Sequence, residues 1–292
     1  MPQADNGGAG ADQAPRQDRA RGVSAPHPRG DHPDELHTLA CELAREASRI
    51  HLEGLAGVLE VSTKSTPNDF VSDVDRRAEA RIVTLLAAAR PGDAILGEEG
   101  TAQAGGSGLR WIVDPLDGTT NYVYGYPAFC SSIAVERDGE TVAAAVSESL
   151  TGAVFSAVRG KGAWRDDRPL AVRSSGALSA ALVATGFSYD ARQRRRQGQV
   201  MARLLERVGD IRRSGSAALD LCRLAAGQVD AYFELDLSPW DYAGGRLIAQ
   251  EAGARVLELP AAHGKGPAIV AAGPALIEPL VELLREAGAL VT

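Results

Sequence analysis

The stretch WIVDPLDGTT, residues 111–120, leads from an apolar strand directly into two aspartates three positions apart. A strand that ends just before Asp114 places that carboxylate at its tip, and Pro115 fixes the backbone so that Asp117 comes round to the same side of the turn. Two carboxylates held this close repel each other unless a cation lies between them. Hard oxygen ligands of this kind suit Mg²⁺ or Mn²⁺, and the carbonyl of Leu116 adds a neutral ligand. The stretch therefore favours a metal site at the end of a strand.

Gly118, Thr119 and Thr120 complete the same turn. Their backbone N–H groups are expected to be free at a helix start, where an anion such as phosphate binds. The alternative is an ordinary Asp-Gly turn with a capping aspartate, which is the better interpretation of an isolated D-x-x-D-G run. The apolar strand, the proline and the two threonines favour instead a turn in which metal ligands and an anion site lie together.

The composition is typical of a soluble globular protein, with 45% apolar and 24% charged residues. A chain of 292 residues can bury a large core, as one domain or as two joined lobes. The net charge of −7 disfavours a general nucleic-acid binder and suits a protein that recruits cations. Cys41, Cys130 and Cys222 form no C-x-x-C pair, so a reducing cytoplasm is expected. No apolar run approaches the ~20 residues of a membrane span, so no membrane association is expected.

The pattern along the chain predicts a tail followed by alternating helices and strands. Residues 1–33 contain almost no large apolar side chains, so a disordered tail is expected. A first amphipathic helix is predicted to begin at Asp34, its expected cap, and residues 101–108 are predicted to form a flexible surface loop. Further helical patterns lie at 74–85, 217–226, 241–252 and 275–287. Strand-like runs lie at 94–96, 111–113, 131–136, 141–148, 153–158, 255–259 and 268–272. This order favours a layered, mixed α/β architecture.

Three further acidic segments contain candidate ligands, each with a plain alternative. A pair of glutamates follows an apolar strand, where a solvated turn is more common than a ligand. Three aspartates lie at a helix start, where acids complement the helix dipole without any functional role. One more aspartate begins a later helix, and a cap explains it about as well as a ligand does. These residues are Glu98 and Glu99, then Asp69, Asp73 and Asp75, and finally Asp241.

Together, these segments resemble the inositol monophosphatase family of metal-dependent sugar phosphatases. The diagnostic segments are WIVDPLDGTTNYVYGYP at 111–127 and PWDYAGGRLIAQEAGA at 239–254. They are supported by KSTPNDFVSDVD at 64–75, LGEE at 96–99 and RRSGSAALDLCRLAAGQVDAYFEL at 212–235. The resemblance covers the chain from about residue 35 to near the C-terminus. It implies a mixed α+β fold, a layered αβαβα sandwich over residues 34–292 in two closely joined lobes.

The resemblance also implies a metal centre of two to three Mg²⁺ ions, with Mn²⁺ as an alternative. Glu98, Asp114 and the Leu116 carbonyl would hold the first ion, and Asp114, Asp117 and Asp241 the second. A further, weaker ion would lie near Asp69, beside the attacking water. Lys64 would belong to the loop that closes over the metals.

Substrate contacts follow from the same resemblance. The backbone of Gly118 and Thr119 would bind the phosphate, and the Thr119 hydroxyl would orient the attacking water. The remaining contacts to a small phosphorylated polyol would come from Gly215, Ser216, Ala217, Glu234 and Asp241.

The implied reaction is direct attack by water on a phosphate monoester, with no covalent phosphoenzyme. One metal, with Glu98 and Thr119, would supply the nucleophile, and the second would stabilise the leaving alkoxide. The five histidines lie outside every motif, which argues against a phosphohistidine phosphatase. The three cysteines lie in no C-x5-R loop, which argues against a thiol phosphatase.

The leading substrate is myo-inositol 1-phosphate, because ATGFSYD at 184–190 and RRSGSAALDL at 212–221 are most similar to bacterial inositol monophosphatases. Histidinol phosphate, fructose 1,6-bisphosphate and 3′-phosphoadenosine 5′-phosphate are alternatives within the resemblance. An alternative of another class is an RNA- or transcription-associated role, for which ARQRRRQ at 191–197 is the supporting feature. A solvated helix start or dimer edge explains that cluster better in an acidic chain. A homodimer is expected from the resemblance alone.

Overall fold

The computed structural model describes residues 30–57, 60–64, 70–174 and 176–291. The helices of this part of the chain are α1 Pro33–Leu55, α2 Asp73–Ala89, α3 Thr119–Tyr124, α4 Ala191–Leu204, α5 Ala217–Ala225, α6 Pro239–Glu251 and α7 Ile277–Glu286. The first ten strands are β1 Val61–Thr63, β2 Phe70–Ser72, β3 Ala94–Gly97, β4 Ala102–Gln103, β5 Leu109–Asp117, β6 Cys130–Arg137, β7 Glu140–Glu148, β8 Ala153–Val158, β9 Gly162–Arg165 and β10 Arg168–Pro169. The others are β11 Leu182–Thr185, β12 Asp210–Arg212, β13 Ala231–Leu235, β14 Arg255–Leu259 and β15 Ala268–Ala272.

Two large sheets organise the molecule. The first has eight strands in the order β10-β9-β8-β7-β6-β5-β3-β4, antiparallel except for the parallel pair β3 and β5. The second has five strands in the order β12-β11-β13-β15-β14, with β11 parallel to both of its neighbours. A separate two-stranded ribbon of β1 and β2 precedes α2.

Helices cover both faces of both sheets, so the layers alternate as αβαβα. α1 and α2 pack on the outer face of the first sheet. α5 and α6 lie between the sheets, and their two sides contribute to two different apolar clusters. α4 and α7 cover the far face of the second sheet. The layered, mixed α+β sandwich predicted from the sequence is confirmed.

Strand β5 passes through the middle of this arrangement. Its alternate side chains Leu109, Trp111 and Val113 pack toward α1 and α2, whereas Ile112 packs toward α5 and α6. With a period of two, Asp114 is expected on the same face as Ile112, toward the middle helical layer. The pairing of β5 with β6 then shifts register between Asp114 and Asp117, which marks a β-bulge. Bulges re-aim side chains beside active sites in many proteins.

The sequence pattern was wrong about three local details. β5 was expected to end before Asp114, but it continues to Asp117 through the bulge. α1 begins at Pro33 with His32 as its cap, so Asp34 lies in its first turn. In the predicted loop at 101–108, Ala102 and Gln103 pair with β3 because backbone groups at a sheet edge accept a further strand.

The predicted tail at 1–33 lies mostly outside the described residues, which begin at Gly30. Asp31 contacts the folded part of the chain, since its carboxylate accepts a hydrogen bond from Arg90 at 2.6 Å. Across the described residues, no helix combines the length and the apolar character needed to cross a membrane.

Candidate active site

The bulged end of β5 brings Asp114 beside Glu98. Glu98 directly follows β3, the parallel neighbour of β5, and its N–H donates to the Val113 carbonyl at 3.1 Å. The two carboxyl groups share a hydrogen bond that favours the proton on Asp114. Burial raises the pKa of Asp114 well above its usual range, and the charges of Glu98, Asp117 and Asp241 raise it further. Four acidic side chains from three segments therefore lie within electrostatic reach of one another.

A buried carboxylate of α2 holds the turn that carries Glu98. Glu79 Oε2 accepts the N–H of Glu99 at 2.8 Å, and Oε1 accepts the N–H and the hydroxyl of Thr101 at 3.1 and 2.6 Å. A side chain at Gly97 would collide with this carboxylate, because a Cβ there would lie 2.4 Å from Oε2. The absence of a side chain at Gly97 thus lets the Glu79 carboxylate of α2 lie close to the turn that follows β3.

Asp117 is held by the N-terminus of α5. Its Oδ2 accepts the hydroxyl of Ser216 at 2.6 Å and the N–H of Ala218 at 2.8 Å. Ser216 is the N-cap of α5, so its hydroxyl also accepts the N–H of Leu219 at 3.2 Å. Burial raises the pKa of Asp117 to about 6, while these two hydrogen bonds oppose the shift. The segment predicted to meet the substrate therefore contacts a predicted metal ligand directly.

Asp241 lies at the start of α6 and faces the same acidic group. It is the third helical residue in a capping box, in which its Oδ2 accepts the N–H of Ser238 at 2.7 Å. Burial raises the pKa of Asp241 well above its usual range, and the charges of Glu98, Asp117 and Glu234 contribute. Asp241 therefore does cap α6, as the alternative interpretation of the sequence expected, and it also lies close to the other acidic side chains.

Glu234, at the end of β13, brings the second sheet to the site. Its Oε2 accepts the hydroxyl of Tyr232 at 2.9 Å, and burial raises its pKa to about 7. A Cβ at Gly186 would lie 1.9 Å from Oε1, so a side chain there would displace the Glu234 carboxylate from its present position. Gly215 lies at positive φ (96°) against Asn121, whose amide donates to the Ser214 carbonyl at 2.9 Å.

Thr119 forms a buried hydrogen-bonded pair with Asp75. Its hydroxyl donates to Asp75 Oδ1 at 2.8 Å and lies 3.0 Å from the Leu116 carbonyl. Asp75 is also the capping-box residue of α2, where its Oδ2 accepts the N–H of Ser72 at 2.8 Å. Gly118, with φ 91°, supplies the left-handed residue from which the six-residue helix α3 begins. A hydroxyl that donates to Asp75 keeps its lone pairs available to accept a hydrogen from a water.

Lys64 joins the acidic group from the β1 side. Its ammonium donates to Glu98 at 2.8 Å and to Glu99 at 2.6 Å. The two glutamates raise the pKa of Lys64 despite its burial. Asp69, predicted to lie near the attacking water, falls outside the described residues.

The donor chemistry of this group fits divalent cations. Glu98, Asp114, Asp117 and Asp241 offer hard oxygens that are buried among like charges, an arrangement that a Mg²⁺ or Mn²⁺ ion relieves. Among the residues that the structure describes, no three His, Cys, Asp or Glu side chains are arranged to hold a metal ion as they stand. The hydrogen bonds that Asp117 and Asp241 accept from the protein use Oδ2 in each case, so each residue keeps its second carboxylate oxygen, Oδ1, outside these bonds.

Three residues of the site were missed or set aside in reasoning from the sequence. Asp75 and Glu79 lie on α2, where a helix-start acid and a mid-helix acid are ordinary. His51 lies on α1, in no motif, yet its ring contacts the Pro115 carbonyl within the bulge. Only the approach of α1 to β5, and of α2 to α3 and the turn after β3, reveals these three contacts, and sequence spacing carries no signal for them.

The inositol monophosphatase family matches this chain over residues 32–289. The inositol-1-monophosphatase SuhB of Mycobacterium tuberculosis is 43% identical over 273 residues, covering 87% of this chain and 94% of that protein. The Nus factor SuhB of Vibrio cholerae is 39% identical over 255 residues, covering 86% and 96%. A solved structure of M. tuberculosis SuhB has a TM-score of 0.79 and 40% identity, covering 90% of this chain and all of that one.

Proposed function

Because the chain belongs to the inositol monophosphatase family, we propose that it is a metal-dependent phosphate monoester hydrolase, and that inositol 1-phosphate is its substrate. The observation that carries the proposal is the convergence of Glu98, Asp114, Asp117 and Asp241 beside the Thr119–Asp75 pair. Two to three divalent cations would neutralise this excess of buried negative charge. Their remaining positive charge would in turn bind the negatively charged phosphate ester.

Each of the acids has a part in holding the ions. Glu98 and Asp114 would ligate one Mg²⁺ or Mn²⁺ with the Leu116 carbonyl, and Asp114, Asp117 and Asp241 would ligate a second. When bound, the ions lower the pKa of water and neutralise charge on the phosphoryl and leaving oxygens. Asp69 remains a predicted neighbour of the attacking water, and Lys64 a predicted residue of the closing loop.

Thr119 would orient the attacking water. Its single hydroxyl hydrogen goes to Asp75 or to the Leu116 carbonyl, so in either case the oxygen is left to accept a hydrogen from the water and turn a lone pair of that water toward the phosphorus. Asp75 is fixed in turn by the capping box of α2, so the pair needs no rearrangement during the reaction. Glu98, with Thr119, is predicted to help the metal-bound water act as the nucleophile.

Substrate contacts are proposed from the family resemblance and from the contacts within the site. The backbone of Gly118 and Thr119 would bind the phosphate. Gly215, Ser216 and Ala217 would meet the polyol, with Glu234 as a hydrogen-bonding partner for a ring hydroxyl. A pKa of about 7 lets Glu234 act as acceptor or donor near neutral pH.

Phosphate release from four substrates tests the choice of substrate. The panel consists of myo-inositol 1-phosphate, histidinol phosphate, fructose 1,6-bisphosphate and 3′-phosphoadenosine 5′-phosphate, each at saturating Mg²⁺. We expect the highest kcat/KM for myo-inositol 1-phosphate. A clear preference for histidinol phosphate would overturn the choice of substrate, but it would still support the proposed phosphate monoester hydrolase activity.

Asp114→Asn tests the hydrolase itself. The substitution removes the ligand that both ions would share, so we expect activity to fall by about 100-fold or more, beyond the loss seen for outer partners of metal sites. The far-ultraviolet circular dichroism should be unchanged. Near wild-type turnover at saturating Mg²⁺ would refute the assignment.

One observation favours a second function, a regulatory role in binding RNA. Arg192, Arg195 and Arg196 are exposed along α4, and a relative in V. cholerae is named a Nus factor. Arg194, also in this cluster, instead donates hydrogen bonds to the backbone carbonyls of Ser188 and Tyr189. The triple replacement of the three exposed arginines by alanine would abolish salt-dependent RNA binding and spare phosphatase activity. A wild-type protein that does not bind RNA would end this alternative.

The assembly and the compartment are also proposals. We propose a homodimer in the cytoplasm. All three cysteines are unpaired and buried, which suits a reducing compartment. The molar mass in solution, measured by light scattering, tests the dimer: twice the chain mass of 30.5 kDa is expected.

A further inference from the structure

His51 is a fully buried histidine near the C-terminal end of α1. Both ring nitrogens have partners far away in sequence: Nε2 lies 2.8 Å from the carbonyl oxygen of Pro115, and Nδ1 lies 2.8 Å from the hydroxyl of Ser149. A buried polar ring that is satisfied at both ends fixes the position of whatever it contacts. Here it contacts the one residue between Asp114 and Leu116.

These partners determine which nitrogen carries the proton. A carbonyl oxygen only accepts, so Nε2 must be the protonated nitrogen and must donate to Pro115. Nδ1 then accepts from Ser149, whose oxygen also lies 3.2 Å from the hydroxyl of Ser48. Ser48 lies 2.8 Å from the Ser147 hydroxyl, which extends the network to β7. Burial lowers the pKa of His51 to about 4, so the ring stays neutral and keeps this tautomer near pH 7.

The direction of the Pro115 carbonyl matters for the metal ligands on either side. Proline has no N–H to pair in the sheet, so the segment is held through its carbonyl oxygens. The Pro115 oxygen points to His51, while the Leu116 oxygen lies 3.0 Å from the Thr119 hydroxyl. The Leu116 N–H donates to Asp114 Oδ1 at 3.1 Å, so the side chain of Asp114 is tied to the same peptide units. A rotation at Pro115 would therefore move two predicted ligands at once.

Aromatic packing holds the ring in place. The hydroxyl of Tyr122, on α3, donates to the backbone carbonyl of His51 at 2.8 Å. The rings of Tyr122 and Phe129 lie edge-on to His51, with centroid distances of 6.1 and 6.3 Å. α1, α3 and the start of β6 thus meet around one imidazole, directly behind the bulge.

We propose that His51 is a positioning residue for the metal centre, which fixes the Pro115 carbonyl and thereby the orientation of Asp114 and the Leu116 carbonyl. The inference rests on the proposed function, since it assigns His51 a role only if these groups bind ions. His51 does not contact the ions or the substrate in this account.

A matched pair of substitutions tests the inference. His51→Gln places an amide N–H near the position of Nε2, where it can still donate to Pro115. His51→Asn places its amide near Nδ1 and cannot reach Pro115. Both are neutral and polar, so their costs to folding are similar. The direct measurement is the Kd for Mn²⁺ from isothermal titration calorimetry with substrate absent, with kcat and KM measured separately.

We expect His51→Asn to raise the Kd for Mn²⁺ by about 10-fold, the lower end of the effect of outer partners of metal ligands. His51→Gln should restore it to within about threefold of wild type. Ser107→Ala is the control: it removes a partly buried hydrogen bond to Asp93 at the opposite end of β5 and should leave the Kd unchanged while lowering Tm.

Each other outcome has a definite meaning. If both variants bind Mn²⁺ as the wild type does, or if both weaken it equally, His51 contributes only to stability and the inference is wrong. If the wild type binds no Mn²⁺, the proposed function fails and the inference fails with it. If His51→Asn does not fold, Ser149→Ala replaces it, because it removes the hydrogen bond that holds Nδ1 and loosens the position of the ring, so Mn²⁺ binding should weaken in the same direction.

Discussion

At the scale of single residues, the hydrogen bond between Thr119 and Asp75 bears most directly on the proposed chemistry. Thr119 is only 8% exposed as a residue, and its hydroxyl donates to the carboxylate of Asp75, which is fully buried. A buried threonine that served packing alone would not need a charged acceptor, which costs free energy to desolvate. The pair therefore supports the proposal that Thr119 orients a water, in addition to the capping role of Asp75.

Removal of this hydroxyl should lower kcat rather than KM. We expect Thr119→Ala to reduce kcat by about 100-fold, the lower range for loss of a group that orients or moves a proton, with KM nearly unchanged. Asp75→Asn should lower kcat less, because the amide oxygen still accepts the hydrogen bond. Steady-state kinetics at saturating Mg²⁺ measure both.

Thr119→Ser is the matched control, since it keeps the hydroxyl and loses only a methyl group. It should retain most of the wild-type kcat. If the serine variant falls as far as the alanine variant, the hydroxyl is not the group that matters and the proposed orientation of water is wrong.

Sequence reasoning found the residues whose spacing is unusual and missed those whose spacing is ordinary. Asp114 and Asp117 stand out because acids rarely follow a buried strand three apart. Asp75 did not stand out, because an acid in the first turn of a helix is explained by helix capping alone. Asp75 does form such a capping box. A local explanation that is correct can thus conceal a second role that depends on tertiary contacts.

At the scale of elements, the predicted ligands come from the ends of three elements. Glu98 follows β3, Asp241 lies in the first turn of α6, and the others, Asp114, Leu116 and Asp117, lie in the last part of β5. The N-terminus of α5 supports Asp117 through Ser216 and Ala218. Helix N-termini stabilise negative charge, so they suit positions beside carboxylates.

The opposite end of β5 is fixed by a buried ion pair. Asp93 accepts from Arg90 Nε at 2.7 Å, from Trp111 Nε1 at 2.8 Å and from Ser107 at 2.7 Å, and is 2% exposed. Asp93→Ala leaves a buried guanidinium with fewer partners, so we expect a loss of about 3–5 kcal/mol in the free energy of unfolding. Urea denaturation measures this loss.

Asp210→Ala is the control for that experiment, since it removes an exposed pair with Arg212 and should not change stability measurably. The Kd for Mn²⁺ should be the same in both variants. A fully stable Asp93→Ala protein would show that Arg90 and Trp111 find other partners.

His51 should make folding sensitive to acid. Its pKa falls from an ordinary 6.5 to about 4 in the folded protein, because burial disfavours the charged ring. Between pH 6.5 and 4 the unfolded chain therefore binds more protons, so stability falls as the pH falls, by up to about 1.4 kcal/mol per pH unit. Above pH 6.5 both states are neutral and the effect is absent.

His51→Gln should remove this component. Urea denaturation of both proteins at pH 7, 6 and 5 measures the free energy of unfolding. Relative to its own value at pH 7, this free energy should decline less with falling pH in the variant than in the wild type. Equal slopes for the two proteins would contradict the predicted shift in the pKa of His51.

Elements with strong apolar periodicity were predicted, and those without it were not. α1, α2, α5, α6 and α7 each bury a clear stripe. α4 was foreseen only as a solvated helix start, because just Gln197, Val200 and Leu204 are buried in it, among five arginines. The short strands β9 to β13 were missed for a different reason: runs of two to five residues often carry too little pattern to separate strand from loop, although β3, β14 and β15, equally short, were predicted from their apolar residues.

At the scale of the whole molecule, the site lies where the layers meet. Asp114 faces the middle helical layer from the first sheet, Asp241 belongs to that layer, and Glu234 comes from the second sheet. No local pattern could place these three together, since the contact depends on how two sheets stack across α5 and α6. Only the resemblance to a known family predicted it.

A crystal soaked with Mn²⁺ and measured for anomalous scattering tests the central claim most directly. The account predicts anomalous peaks within about 2.0–2.6 Å of carboxylate oxygens of Glu98, Asp114, Asp117 and Asp241, the range of bonds from hard cations to oxygen. Absence of such peaks, with the side chains of Glu98, Asp117 and Asp241 directed to separate parts of the surface, would contradict it.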